Sequence, residues 1–233
     1  MTKARRSLVL RGVLALSGCS LLFVGLIGFA HTSAGRPLLA YLPGFGAACP
    51  VGMDKQLAPE EREKVRAETL EMLRGEAVAR TRPAMGFRLG ETTRAEARVW
   101  AAKYGISCED DKRGEGLRCA HVPGSSLASE QDVDDLLFLF DTTDRLIAVD
   151  ASRRGLDADT AAALVDRRSG QLREETGTLP VVSGSTTGPY LAGAPLRRAS
   201  VEVRCSDYHA EVSATNLGSG RLVVREAYRA IPN

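Results

Sequence analysis

The chain has 233 residues, enough for one medium domain or two small ones. Its formal charge of +2 is unevenly placed: Lys3, Arg5, Arg6 and Arg11 stand without an acid in the first 30 residues, and the remainder carries 27 basic and 29 acidic residues. Near-neutral, interspersed charge excludes the basic footprint that nucleic-acid binding requires, so nucleic acid is not an expected partner.

Arginine outnumbers lysine 26 to 5, and asparagine occurs twice, which reads as the coding bias of a GC-rich genome, and a bacterial source is expected. Residues 1–11 read as a basic cytoplasmic segment. From Gly12 to Ala30 there are 19 residues without a charge. As a helix they span about 28 Å, close to the roughly 30 Å of a hydrocarbon core. Basic residues on the near side keep the N-terminus in the cytoplasm and send the rest outward.

Three readings of this segment stand. It is a transmembrane anchor, the preferred one. It is a signal peptide cut after Ala30 or Ala34, where Gly-Phe-Ala and Thr-Ser-Ala supply small residues. Or Leu-Ser-Gly-Cys marks lipidation at Cys19, although "SLLFVGLIGFA" then follows the cysteine where a polar tether belongs. All three place residues 31–233 outside the cytoplasm: behind the inner membrane as a single-pass protein, lipid-anchored, or secreted to the periplasm.

Residues 31–56 are rich in Gly and Pro and read as a tether or loop. "LAPEEREKVRAETLEMLRG" predicts a helix, with Pro59 in the first turn, Glu60, Glu61 and Glu63 at its positive end, and Gly75 as the stop. Val65, Met72 and Leu73 give it a modest apolar face. In "GETTRAEARVWAAKYG", Thr93 and Glu96 form a capping box, Ala97, Trp100, Ala101 and Tyr104 share a face, and Gly105 ends the helix. Trp100 and Tyr104 could serve as a ligand platform, but an aromatic pair at this spacing is more often core.

Ile106 to Cys108 begins a strand and Leu117 to Val122 returns it, around a polar segment holding Gly114 and Gly116. "DLLFLFD", Asp135 to Asp141, predicts a central strand, and "RLIAVDA" a second one after a tight turn. Asp141 and Asp144 in that turn are turn formers before they are cation ligands. "LDADTAAALVDRRSGQLREETG" predicts a helix capped by Asp157 or Asp159, with Ala161, Leu164, Val165, Arg168 and Leu172 on one side. Residues 178–197 read as a Gly/Ser/Thr/Pro-rich loop. Strands follow at Ala199–Cys205, Tyr208–Thr215 and Arg221–Tyr228, with "NLGSGR" as the last turn.

The expected fold is therefore α+β: an N-terminal transmembrane helix, then an α+β core over 57–177 with its helices on one face of an antiparallel sheet, then C-terminal strands over 198–233 in the same sheet or a second small domain. A helix-then-strands pattern occurs about twice, without a sequence repeat.

Cysteine usage agrees with export. Apart from Cys19 there are four, Cys49, Cys108, Cys119 and Cys205, an even number that suggests two disulfides. Three connectivities are open. The preferred one is Cys108–Cys119, across a hairpin, with Cys49–Cys205 tying the start of the folded region to its end. No Cys-x-x-Cys occurs, and His121 alone lies near a cysteine, so redox and zinc chemistry lack their motifs.

"LGETTRAEARVWAAKYG" and "LLFLFDTTDRLIAVD", within residues 89–150, resemble the SmpA/OmlA (BamE-like) group of small envelope lipoproteins, a fold shared with β-lactamase-inhibitor proteins. Gly90, Thr92, Glu96, Phe140 and Asp141 carry the likeness, over about a quarter of the chain. The chain departs from the group in lacking a proline after Gly105, in its extra cysteines, and in its long C-terminal extension. The resemblance implies a small α+β envelope module that binds other proteins, and it assigns no binding residue.

No nucleophile elbow, phosphate loop, dinucleotide fingerprint or His-Glu-x-x-His helix occurs. His121 and His209 are the available general bases, with His31 next to the membrane segment. "SGS", Ser183 to Ser185, lies in the Gly/Ser-rich stretch, where preorganisation is hard to build. No catalytic residue, metal ligand or cofactor is expected. The expected function is non-enzymatic: binding of another envelope protein, marked by an exposed apolar patch or sheet edge. The alternative is a small-ligand or inhibitor-type module, marked by an aromatic pocket around Trp100. A hydrolase would need His121 or His209 beside a nucleophile and a carboxylate.

Overall fold

The capping box sets the start of the helix at Arg94–Lys103. The Glu96 amide donates to the Thr93 hydroxyl, and the Thr93 amide donates to the Glu96 carboxylate at 2.7 Å. Past the helix, Gly105 adopts φ +66°, which a side chain would resist. In the computed structural model, residues 59–232 are described, apart from 112, 113, 128, 130, 219 and 220. The expected membrane segment 12–30, the tether 31–56, Cys19 and Cys49 lie outside the described residues. Among the described residues, no helix is long and apolar enough to cross a membrane.

The elements run α1 (Pro59–Met72), β1 (Pro83–Ala84), β2 (Phe87–Arg88), α2 (Arg94–Lys103), β3 (Cys108–Asp110), β4 (Gly116–Val122), β5 (Val133–Phe140) and β6 (Leu146–Leu156). Then come α3 (Ala158–Thr176), β7 (Val181–Ser183), α4 (Gly188–Ala192), β8 (Arg198–Arg204), β9 (Tyr208–Asn216) and β10 (Leu222–Ala230). The fold is α+β, and eight of the strands form one antiparallel sheet in the order β3-β4-β5-β6-β10-β9-β8-β7.

That order contains two meanders. Strands β3 to β6 follow α2, and strands β7 to β10 follow α3. The last strands of the two, β6 and β10, pair in the middle of the sheet, from Ala148 opposite Arg229 to Arg154 opposite Val223. The C-terminal strands therefore share one sheet with the earlier ones.

Strand alternation gives the sheet two unlike faces. On one face, spread over five strands, lie Leu136, Phe138, Val149, Tyr228, Val212 and Val201, all buried. Both α2 and α3 bury their apolar sides here. Ala161, Leu164, Val165, Arg168 and Leu172 of α3 are all buried, as their spacing predicts. Asp157 caps α3 by accepting the Thr160 amide at 2.8 Å, and Gly177 ends it in the left-handed region.

Two expectations change. Helix α1 does not join the other helices. Its Leu70 is buried near Leu139 and Ala148, which point to the sheet's opposite face, while Val65 and Met72, expected to be its apolar side, are exposed. The four-residue spacing that buries Leu70 is interrupted by charge, so the pattern misled. The loop expected at 178–197 contains an edge strand and a helix turn: Val182 pairs with Val201, and Leu191 is fully buried under a hydrogen bond from the Asn216 side chain to its carbonyl, 2.9 Å.

The hairpin expected around Gly114 forms, with Cys108 directly opposite Cys119. The two are joined as a disulfide with Cα atoms 4.1 Å apart. Closing so short a loop in the unfolded chain contributes about 3 kcal/mol in the chain-entropy picture. Among the described residues Cys205 has no disulfide partner. It is buried and lies 3.3 Å from the Thr178 hydroxyl, and burial pushes its pKa up. Its expected partner Cys49 is outside the described residues.

Candidate functional site

The sequence candidates do not converge. Trp100 belongs to the core and not to a pocket wall. Its Nε1 donates to the Ser126 carbonyl at 3.0 Å, and its ring packs edge-on against Phe87 and Phe138 at 5.0 and 5.7 Å. Tyr104 is exposed beside Lys103. His121 sits at φ +52°, in an irregular step of β4, exposed. His209 lies on β9, four strands away, which is roughly 19 Å at strand spacing. No catalytic dyad can form between them. Ser183 pairs with Ser200 at the β7 edge, and Ser185 contacts the Thr187 hydroxyl at 3.1 Å.

Asp141 and Asp144 are turn residues. The Asp141 carboxylate accepts the amides of Thr143 and Arg145 and the Thr143 hydroxyl. Burial pushes its carboxyl up, but those hydrogen bonds outweigh it and hold it below the ordinary value. Asp144 turns with φ +59° and pairs with Arg94 at 2.9 Å. Among the described residues, no cluster of His, Cys, Asp and Glu is arranged to hold a metal.

Three features stand out instead. The first is a buried charge network on the helix-covered face. Glu226 of β10 is fully buried and pairs with Arg153 of β6, buried as deeply. The Tyr228 hydroxyl donates to the same carboxylate. Arg168 of α3 brings its Nε to 2.9 Å from Glu226, an ion-pair contact not aligned as a hydrogen bond, and its terminal nitrogen donates to Gln171 at 2.7 Å. The Ser129 hydroxyl accepts from Arg153 at 2.9 Å. Burial pushes the Tyr228 phenol well above its ordinary range.

The second is a cavity of about 550 Å³ over this network. It opens between the β1–β2 hairpin and α3, with Arg168, Gln171 and Tyr228 among its walls. The hairpin exists because Met85 and Gly86 both take positive φ, 57° and 90°, the geometry of a tight two-residue turn. The Tyr208 hydroxyl donates to the Pro83 carbonyl at 2.6 Å and anchors that hairpin to the sheet.

The third is the outer edge of the sheet. Strand β7 is terminal, and Leu179, Val181 and Val182 are 70, 64 and 54 % exposed. Such an edge presents backbone donors and acceptors together with apolar side chains.

The face turned away from α2 and α3 is polar. Asp150 pairs with Arg225 at 2.9 Å, Asp135 with Arg118 at 3.0 Å, and Arg198 with Glu211. His209 is buried on this face against Glu202, 2.9 Å away, and its Nδ1 has no hydrogen-bond partner among the described residues. Burial holds its pKa below the ordinary value, against the pull of Glu202.

The unfolded chain therefore takes up that proton first as the pH falls below about 6.5. Stability should fall as pH drops from there toward the folded pKa. Arg229 beside the ring steepens this, and Glu202 and Glu211 soften it. Urea midpoints between pH 7 and 5 should show the slope in the native chain and a flatter one in His209→Gln. Equal slopes would show that another group is responsible.

The network was visible in the sequence only as an anomaly. Arg168 occupies an apolar-side position of its helix, and Glu226 alternates with Val224 and Tyr228 on the inward side of its strand. A charge at an inward position was the available signal. No family model, no curated protein and no solved structure matches the chain.

Proposed function

We propose that the chain is a non-enzymatic protein of the bacterial cell envelope. In this reading residues 12–30 anchor it in the inner membrane, and its α+β domain stands in the periplasm and binds another envelope protein. The observation that carries the binding reading is the β7 edge, which has no strand on its outer side among the described residues and is flanked by exposed Leu179, Val181 and Val182. An extended, apolar, strand-forming segment of the partner would add to that edge as a further strand. The Cys108–Cys119 disulfide suits an oxidising compartment. The likeness of residues 89–150 to the SmpA/OmlA group points toward the same compartment and a role in protein binding. An aromatic ligand pocket has less support, because Trp100 is tied into the core.

Photocrosslinking in native membranes tests this. A photoreactive residue at position 179 of the full chain should give one discrete adduct with another protein. A photoreactive residue at position 109, on the opposite edge of the sheet, should give none. Val181→Lys with Val182→Lys should abolish the adduct and leave the fold intact, since both residues are exposed. Failure to form an adduct at 179, equal adducts from both edges, or an adduct of twice the chain's own mass would each overturn the reading.

A further inference from the structure

We infer that α1 is a releasable strap: it lies across the seam between the two meanders and leaves the sheet by a local opening while the rest of the domain stays folded. This device is independent of the β7 edge.

The seam shows in what the helix touches. Its body faces the first meander. Arg66 lies within electrostatic reach of Asp141 in the β5–β6 turn, and Leu70 sits over Leu139 of β5 and Ala148 of β6. The residues just after the helix are tied to the second meander. Arg74 donates to the carbonyls of Ser206 and Pro232, both at 2.7 Å, and the Gly75 amide donates to the Cys205 carbonyl at 3.0 Å. Gly75 lies so close to β8 that a Cβ would stand 2.2 Å from the Arg204 carbonyl oxygen. Further on, the Ser206 amide donates to the Ala77 carbonyl at 2.8 Å and the Ala79 amide to Asp207 at 2.9 Å. This end is fixed.

The hold on the helix itself is slight. Among the described side chains of α1 only Leu70 is buried. A hollow of about 190 Å³ remains under it, with Thr69 and Leu70 above and Leu139, Ile147, Ala148 and Ala230 below. Such a hollow forfeits the dispersion contacts that close packing supplies. Arg66 is half-exposed, and ion contacts in that setting hold weakly. A helix of 14 residues is marginal alone in water, so α1 melts as it leaves and regains chain entropy. Few buried apolar contacts beside a deeply buried sheet mark a segment that opens on its own.

The fixed end sets the hinge at Leu73 to Gly75, and the chain ahead of Pro59 joins the loose end. Opening uncovers Leu139, Ile147, Ala148 and Ala230, an apolar portion of a face that is otherwise ion-paired.

Hydrogen exchange of the full chain, read peptide by peptide by mass spectrometry, tests the strap. Amides of residues 64–72 should exchange at least about a hundredfold faster than those of β6 and β10, through an opening that leaves the strands protected. Leu70→Asp should remove the remaining protection of α1. It should leave β6 and β10 as slow as in the native chain and the urea midpoint of Trp100 emission unchanged. Thr69→Leu sets an apolar side chain over the hollow and should slow exchange in α1 about tenfold, the effect of burying about two further methylenes.

Exchange in α1 as slow as in β10, lost strand protection or a lowered midpoint in Leu70→Asp, or native α1 rates in Thr69→Leu would each overturn the strap. The adduct at position 179 should form equally in Leu70→Asp, so failure of the β7 reading and failure of the strap are told apart.

Discussion

Glu226→Ala is expected to destabilise the domain by about 3–5 kcal/mol, because it removes a buried carboxylate that pairs with the guanidinium groups of Arg153 and Arg168. The loss is larger than the ion pair's own net worth. Truncation leaves Arg153, buried to 1 % exposure, with its charge uncompensated and the Tyr228 hydroxyl without its acceptor. Urea unfolding followed by Trp100 emission measures it. The double change Arg153→Met with Glu226→Leu should recover much of the loss, since apolar groups of similar size remove the desolvation cost together with the attraction. A loss below about 1 kcal/mol for Glu226→Ala would show that water reaches the pair and that the network is not sealed.

Phe138→Ala is expected to cost a similar amount, about 3–5 kcal/mol, for a different reason. Phe138 is fully buried on β5, at the meeting point of the first meander with α2 and the β2 strand. Its ring lies 4.7 Å from Phe87, 5.7 Å from Trp100 and 6.5 Å from Phe140. Removing it opens a void that three rings border, and close packing leaves little room for collapse. Phe138→Leu should cost less than half as much. Trp100 emission should shift in the alanine variant under native conditions, because one of its walls is gone. An unchanged spectrum with a small stability loss would mean that the aromatic cluster closes over the gap.

Much of this fold could be read from local chemistry. Thr93 and Glu96 fix one helix start by hydrogen bonds that depend on four consecutive residues. Asp157 and Gly177 bound another helix in the same local way. The run Leu136 to Phe140 reads as a central strand, and the two cysteines flanking a polar turn, the preferred of three open pairings, do face each other across a hairpin. What escaped depends on distant partners. Val181 and Val182 become a strand because β8 lies beside them, and nothing in three residues announces that neighbour. The β1–β2 hairpin escaped because Met85 takes a left-handed conformation that its side chain does not advertise. Helix α1 was recognised as a helix, but its packing side was misjudged, because a single buried leucine among charges gives no clear stripe. The cavity has the same origin: its two walls lie about 80 residues apart in sequence, and only the fold brings Arg82 and Arg168 to one space.

The pairing of β6 with β10 has a consequence for how the molecule holds together. A meander of four strands alone would end in a bare edge running most of the length of its last strand, the kind of edge at which chains associate. Here each half closes the other's edge, so the domain has the geometry of two associated subunits carried on one polypeptide. Helix α3 makes their encounter intramolecular and sets their effective concentration by the length of the tether rather than by the amount of protein present. Such a molecule keeps its assembly at any dilution. It also frees its two halves to diverge, one holding a disulfide at its outer strand and the other an open apolar edge, without the constraint that identical subunits would impose.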